Sequence, residues 1–129
     1  MKKIQKLSLS ILPEKLGVCH FAAKSAIPDW AKDINFCSIT RTSKELSIIC
    51  PQDKIPAGVL VEKNWRALKI NDPIDLYSIG VISSLVKPLA DAGISILEIS
   101  TYETEHTLVE DKNLAKAKKV LGKFFEIKK

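Results

Sequence analysis

The chain has 129 residues, of which 46% are hydrophobic and 27% are charged, a composition typical of a folded globular protein. No apolar run reaches the roughly 18 residues of a membrane-spanning helix, and Lys6 and Pro13 interrupt the start of the chain before a signal-peptide core develops. The sequence therefore predicts a cytoplasmic protein with no membrane partner, and its three cysteines, which form no CxxC pair, predict neither a metal nor a cofactor.

The formal net charge of +5 is concentrated at the two ends of the chain. Residues 1–6 and 112–129 hold ten lysines and one acidic residue, whereas residues 7–111 hold ten basic and fourteen acidic residues. Lysines at 116, 119 and 123 recur at helical spacing, which is typical of a solvated helix face. Because no aromatic stacking motif accompanies them, the sequence argues against nucleic-acid binding, and an RNA-binding module stays open only as an alternative.

The first half of the chain reads as short strands separated by turns. Alternating apolar and polar residues predict a strand at 7–12, and a second strand at 16–22 follows it as a hairpin. The segment SAIPDWAKD (25–33) offers about one helical turn, with proline at its first helical position. A second hairpin joins NFCSITRT (35–42) to ELSIIC (45–50).

The second half carries longer elements. A strand is predicted at 59–70, followed by the breaker NDP. Apolar residues at helical spacing predict a helix over 77–92, with Ser78 as N-cap, Gly93 as the left-handed stop and a bend or break near Pro88.

A hairpin and a second helix complete the chain. The strand at 94–101 turns through YETE and returns at 106–109, Asp111 is the predicted cap of the next helix, and FFEI closes with a strand.

From Trp65 onward the predicted order is β-α-β-β-α-β, the split βαβ or ferredoxin-like arrangement. The first half is a shortened version of the same plan, and the hairpin ITRTSKELSIICPQDKI is echoed by ISTYETEHTLVEDKNL about sixty residues later. The prediction is therefore an α+β protein of two ferredoxin-like modules in tandem, at 1–62 and 63–129, the first with reduced helices. Modules this small leave sheet edges exposed, so we expect a homodimer.

Three separated blocks resemble a known family: FCSITRTSKELSIICP, WRALKI and GVISSLVKPLADAGISILEISTYETEHTLV. They are similar to bacterial tandem ACT-domain proteins, which are related to the ACT modules of CASTOR-type arginine sensors and of aspartate kinase. The resemblance implies regulatory binding of a small ligand, usually an amino acid, and side-by-side pairing of ACT modules. These relatives generally carry Asp where this chain has Glu105, which retains the charge with a longer reach.

An amino acid needs donors for its carboxylate and acceptors for its ammonium. The start of the predicted helix supplies free N–H groups and the positive end of a helix dipole. ACT modules typically use this junction, so the resemblance places ligand binding at Gly80, Val81, Ile82 and Ser83. A plain helix start, with Gly80 serving packing, is the alternative.

The turn after the next strand offers acceptors for the ammonium. Ser100, Thr101 and Thr104 provide hydroxyls, and Glu105 is the best single carboxylate. In a ferredoxin-like fold this turn lies close to the start of the first helix, so the two half-sites can converge. An ordinary solvated hairpin turn would explain the same residues.

The sequence does not predict an enzyme. Cys19 and His20 are adjacent in a predicted strand, so their side chains point to opposite faces and cannot act as nucleophile and base. No GxSxG, Walker loop, HExxH or dinucleotide-binding turn is present. We therefore predict a non-catalytic ligand sensor, with a ferredoxin-like protein-interaction or RNA-binding module as the alternative.

Overall fold

The structure of the protein is a computed structural model that describes residues 7–32, 34–74 and 78–128. It is an α+β fold, which confirms the predicted class. The strands are β1 (Ser8–Ile11), β2 (Leu16–Phe21), β3 (Ser38–Arg41), β4 (Leu46–Pro51), β5 (Leu60–Ile70), β6 (Ile96–Ser100), β7 (Glu105–Glu110) and β8 (Glu126–Lys128). The α-helices are α1 (Val81–Asp91) and α2 (Leu114–Leu121), and single 3-10 turns lie at Asp29–Ala31, Gln52–Lys54 and Asp111–Asn113. Within the described ranges, neither helix is long and apolar enough to cross a membrane.

The chain divides into two compact units, Glu14–Trp65 and Met1–Pro13 with Arg66–Lys129. The boundary between Trp65 and Arg66 lies close to the predicted module boundary after residue 62. The first strand, however, belongs to the C-terminal unit rather than to the N-terminal module. The reason is its pairing, because β1 runs antiparallel to the second half of β5 and parallel to β8. The assignment of modules to 1–62 and 63–129 stays a prediction.

The C-terminal unit contains the predicted β-α-β-β-α-β order, formed by β5, α1, β6, β7, α2 and β8. In its sheet β7 pairs with both β5 and β6, while β1 lies between β5 and β8. Both helices cover one core. Its buried members are Leu9, Leu68, Ile70, Leu85, Leu89, Ile94, Val109, Ala117, Leu121 and Phe125.

The N-terminal unit has reduced helices, as predicted. Its strands β2, β3 and β4 pair antiparallel, β2 also pairs with the first half of β5, and only a single 3-10 turn stands where the helix was expected. The predicted hairpin of β3 and β4 is confirmed. The predicted hairpin of β1 and β2 is wrong, because in the described residues each of them pairs with β5 instead.

The cysteines lie in or against the core of this unit, with Cys19 and Cys50 fully buried. Burial raises the pKa of all three thiols, and raises that of Cys50 to about 12. A buried thiol with a raised pKa holds little thiolate at neutral pH and is a poor nucleophile. The three free cysteines thus lie in the environment of structural core thiols.

The first helix differs from its predicted form at its start and at its proline. It begins at Val81, after Gly80 in a left-handed conformation (φ 84°), so Ser78 is not its cap. Tyr77, where the helix was expected to begin, lies outside the described residues. A bend or a break was predicted near Pro88, and the helix continues through this residue, so it is not broken there. It stops at Gly93 (φ 75°) as predicted.

The second helix also begins differently from its prediction. Asp111 opens a 3-10 turn, and α2 follows from Leu114 with Asn113 at its N-cap position. The Asp111 carboxylate accepts a hydrogen bond from Arg66 at 3.2 Å, in a partly buried ion pair. This ion pair links the helical segment to β5.

Candidate functional site

A small cavity of about 150 Å³ opens between the first turn of α1 and the β6–β7 turn. Its walls are Ile74, Ser78, Val81, Ile82, Ser100, Thr101, Thr104 and Glu105. Six of the eight residues predicted to bind a ligand therefore meet at one cavity within the C-terminal unit. The other two, Gly80 and Ser83, are not in its wall, and the sequence analysis missed Ile74 and Ser78.

The helix side of the cavity is formed by the first turn of α1. The first intrahelical bond joins the N–H of Ser84 to the carbonyl of Gly80 at 3.0 Å, and Gly80, at the N-cap position, has no side chain with which to cap the helix. The N–H groups of Val81, Ile82 and Ser83 therefore have no acceptor within the helix. Free N–H groups at the positive end of a helix dipole favour an anion.

Gly80 serves backbone conformation rather than packing. Among the described residues, a Cβ added there would meet only the Ser83 hydroxyl, at 4.0 Å, so packing against them does not require a glycine. Its left-handed φ is what disfavours other residues. The Ser83 hydroxyl donates to the Gly80 carbonyl at 3.0 Å, which fixes this turn and directs that hydroxyl to the backbone.

The β6–β7 turn is fixed by its own threonines. The Thr101 N–H donates to the Thr104 carbonyl at 2.9 Å, and the Thr104 N–H donates to the Thr101 hydroxyl at 3.1 Å. The Thr104 hydroxyl donates to the carbonyl of Ile70, the last residue of β5, at 2.7 Å. The Thr101 hydroxyl also donates, to the Thr104 carbonyl at 3.2 Å. Both threonine hydroxyl protons thus hold the cavity wall in place, and the hydroxyl oxygens can meet a ligand only as acceptors.

Glu105 is a buried carboxylate and not a solvated turn residue. Its exposed fraction is 8%, although residues 101–103 of the same turn are exposed. It lies opposite Ser100 in the β6–β7 ladder, and the Ser100 hydroxyl is 2.7 and 2.9 Å from its two oxygens. Burial of a carboxylate in a cavity wall is unfavourable unless a cation or donors compensate it. The solvated-turn alternative therefore does not describe this residue.

A second carboxyl group, which the sequence analysis did not select, lies behind Glu105. Glu98 is opposite Thr107 on the same face of the ladder, and the fully buried Thr107 hydroxyl donates to its Oε1 at 2.7 Å. Burial, followed by the neighbouring Glu105, raises the pKa of Glu98 to about 8. The sequence could have indicated Glu98, because it lies two residues before Ser100 and the two therefore share one face of a strand.

The repeat in the sequence gives an internal comparison for this hairpin. Strands β3 and β4 are followed by a 3-10 turn as β6 and β7 are, and both connecting turns close through a threonine hydroxyl. The pairs Ile39–Ile48 and Arg41–Leu46 occupy the register positions of Glu98–Thr107 and Ser100–Glu105. The same backbone thus carries mainly apolar pairs in one unit and a polar set in the other.

Arg41 has a structural role in the N-terminal hairpin. Its guanidinium donates to the backbone carbonyls of Ala23 and Ser25, and so it ties the end of β3 to the turn after β2. These bonds use the fork geometry that would otherwise bind a carboxylate.

A larger groove of about 570 Å³ lies between the two helices of the C-terminal unit. Its walls are mostly apolar, and its charged residues include Lys87 and Asp91, which pair with each other at 3.1 Å. A site for a small polar ligand needs several convergent polar groups. The smaller cavity beside Glu105 has them, so it is the better candidate.

Comparison with known proteins places these observations in a family. A model of the ACT domain matches residues 60–123, and a model of an N-terminal domain matches residues 14–58. A solved protein from Agrobacterium tumefaciens is 35% identical with a TM-score of 0.90, and the match covers 97% of this chain and 94% of that one. The chain is also 28% identical over 107 residues to the cytosolic arginine sensor for mTORC1 subunit 1 of Homo sapiens, covering 77% of this chain and 32% of the relative. It spans about a third of the length of the curated relatives it matches.

More distant solved structures share the fold alone. The regulatory subunit of aspartate kinase from Thermus thermophilus is 9% identical with a TM-score of 0.64, over 92% of this chain and 96% of that one. A protein of unknown function from Vibrio cholerae is 20% identical with a TM-score of 0.72, over 92% and 90% of the two chains.

Proposed function

The chain belongs to the ACT-domain family, and on that premise we propose that it is a non-catalytic regulatory protein of the cytoplasm that binds an amino acid in the cavity beside Glu105. The observation that carries the proposal is the pairing of opposite chemistries in one cavity. The first turn of α1, with Gly80 at its N-cap position, provides N–H donors, and the buried Glu105 carboxylate provides an acceptor. A zwitterion with a carboxylate and an ammonium satisfies both.

The size of the cavity supports a ligand of this class. A volume of about 150 Å³ is well below the range of roughly 300 to 1,000 Å³ for drug-sized ligands. Ile74, Val81 and Ile82 add an apolar wall to the polar groups. We propose that this wall contacts the ligand's side chain, while the polar groups fix its common amino-acid part.

The names of the relatives point to the same ligand class. One relative is a sensor of arginine, and distant fold neighbours are regulatory subunits of aspartate kinase. We propose, on the basis of these names, a regulatory function and an amino-acid ligand. Which amino acid binds is to be measured.

A thermal-shift screen with the twenty amino acids tests the proposal. At a hundredfold excess over Kd, a ligand specific for the native state adds about 2.7 kcal/mol to stability, which is readily seen as a higher Tm. If none of the twenty raises the Tm, and a short single-stranded RNA does so in a salt-dependent manner, the RNA-binding alternative replaces this proposal.

A matched pair of variants then tests the site. Glu105→Gln removes the carboxylate charge with nearly the same shape, so isothermal titration should show affinity lower by about 1.5–3 kcal/mol, the range for hydrogen bonds to charged groups. Glu103→Gln is the control, because Glu103 is exposed in the same turn and should change affinity by less than about 0.5 kcal/mol. Equal affinities for the two variants would remove Glu105 from the site.

A further inference from the structure

Two carboxyl groups share one covered face of the β6–β7 hairpin. Glu98 and Ser100 alternate along β6, and Glu105 and Thr107 lie opposite them along β7. Ile96 and Val109, on the same face, pack against the core formed with α1, so this face is turned toward the helix. Glu98 and Glu105 are therefore diagonal neighbours beneath α1.

The hydroxyl groups satisfy only part of this pair. Ser100 donates to Glu105 and Thr107 donates to Glu98 Oε1, but Glu98 Oε2 is buried and accepts no hydrogen bond from the described residues. Diagonal neighbours of a ladder are within reach of long side chains, so the register lets the Glu105 carboxylate approach the Glu98 carboxyl. If Glu98 carries a proton, its free oxygen becomes a donor with an acceptor in place, and a single negative charge remains on the pair.

We propose that Glu98 and Glu105 share one proton in the empty site and exchange it for the ammonium group of the ligand. Glu98 is then a positioning residue that acts through Glu105, since it does not line the cavity. The inference rests on the proposed function in that it places the ammonium at Glu105.

The exchange balances in charge. Before binding, the two carboxyl groups with their one shared proton carry a net charge of −1. When the ammonium binds, the Glu98 O–H bond breaks, the proton passes to water or buffer, and two carboxylates with one ammonium again total −1. The raised pKa of Glu98, about 8, places this proton where it is held at neutral pH and can be released by a nearby cation.

Few other charges act on the pair. On β7, His106 follows Glu105 and points to the opposite face. Burial and Lys69 of β5 lower the pKa of His106, and the charge of Glu105 opposes this shift, so His106 and Glu105 interact through their charges. From α1, the residues in the cavity wall are Val81 and Ile82, which are uncharged. In the described part of the chain, Glu105 is the only charged group that raises the pKa of Glu98.

The first test needs no amino-acid ligand and no variant. Protein with 13C-labelled glutamate carboxyl carbons is titrated by NMR with and without methylammonium chloride, and Glu98 is assigned through bonds. Glu98 should titrate near pH 8, and methylammonium should lower its midpoint by at least about one pH unit. A midpoint below pH 6, or one that methylammonium leaves unchanged, overturns the inference.

The second test uses whichever of the twenty amino acids raises the Tm. Titration calorimetry at pH 7 in two buffers of different ionisation enthalpy should show about one proton released per ligand, and affinity should approach a tenfold rise per pH unit below pH 8. Glu98→Gln should abolish this pH dependence, whereas Glu126→Gln, on an exposed position of β8, should keep it. Glu98→Asp keeps a carboxyl group that can ionise, so recovery of the pH dependence of the affinity in this variant would support the inference.

The two proposals fail in different ways. Amino-acid binding without proton release overturns the exchange and leaves the proposed function intact. A methylammonium-sensitive Glu98 in a protein that none of the twenty amino acids stabilises supports the exchange and rejects the amino-acid ligand.

Discussion

Glu98 should make the ligand-free protein less stable as the pH rises. Its folded-state pKa is raised from 4.5 to about 8, so the folded state holds a proton that the unfolded chain releases between these values. The contribution of Glu98 to stability is therefore complete below about pH 4.5 and is lost as the pH rises through about 8.

The size of this effect follows from the same two values. The interval from 4.5 to about 8 corresponds to at most about 5 kcal/mol at 1.36 kcal/mol per pH unit. Because the Glu98 side chain is partly exposed, solvent screening reduces this, and we expect about 2–3 kcal/mol. The loss should fall mainly between pH 5 and pH 8.

Glu98→Gln provides the sharp comparison. Its amide can donate to Glu105 as the protonated acid does, but it cannot ionise. Urea unfolding from pH 5 to pH 9 should therefore give similar stabilities for parent and variant at pH 5, and a variant more stable by about 2–3 kcal/mol at pH 9. The difference between the two proteins cancels the opposite slope expected from His106, whose lowered pKa makes stability rise with pH through its titration.

The exposed Glu126→Gln serves as control and should follow the parent at every pH. Parallel stability curves for the parent and Glu98→Gln would refute the reasoning, because they would show that Glu98 titrates alike in the folded and unfolded chains.

Two further predictions concern the fold and the assembly. Gly17→Ala should destabilise the protein by about 1–2 kcal/mol in urea unfolding, because the added Cβ would lie 2.7 Å from Ile55 Cδ1 and 2.9 Å from Val61 Cγ2. An unchanged urea midpoint would show that these two side chains move aside without cost. Light scattering at micromolar concentration should report a homodimer, because β6 pairs on one side only among the described strands. A monomer at all concentrations would contradict this.

Much of the fold could be predicted because the sequence is locally consistent with it. Alternation, the two hairpin turns around residues 42–45 and 101–104, and the glycine at 93 all favour the observed elements. The place of β1 could not be predicted in this way, since a short alternating strand pairs equally well with several partners. The position of β1 is determined by the long strand β5, which pairs with both β1 and β2.

Of the polar residues at the site, those in or next to the β6–β7 turn were predicted, whereas Glu98, further along β6, was not. In β6, Leu97 and Ile99 are the apolar alternates, so Glu98 and Ser100 read as solvent-facing positions. The structure turns the Glu98 face toward α1, with Ile96 against the core. Periodicity identifies which residues share a face, but when both faces are partly covered it does not say which of them faces the helix.

The paired hairpins argue that this polar set is not required by the fold. In β3 and β4 the equivalent inner positions hold Leu46 and Ile48, both fully buried, and the same turn and 3-10 segment form around them. Replacing buried charged groups by apolar ones of similar volume is often neutral or stabilising. Glu105 and Thr107 therefore occupy positions where folding alone would favour apolar residues, and a ligand that compensates the carboxylate gives this arrangement a physical reason.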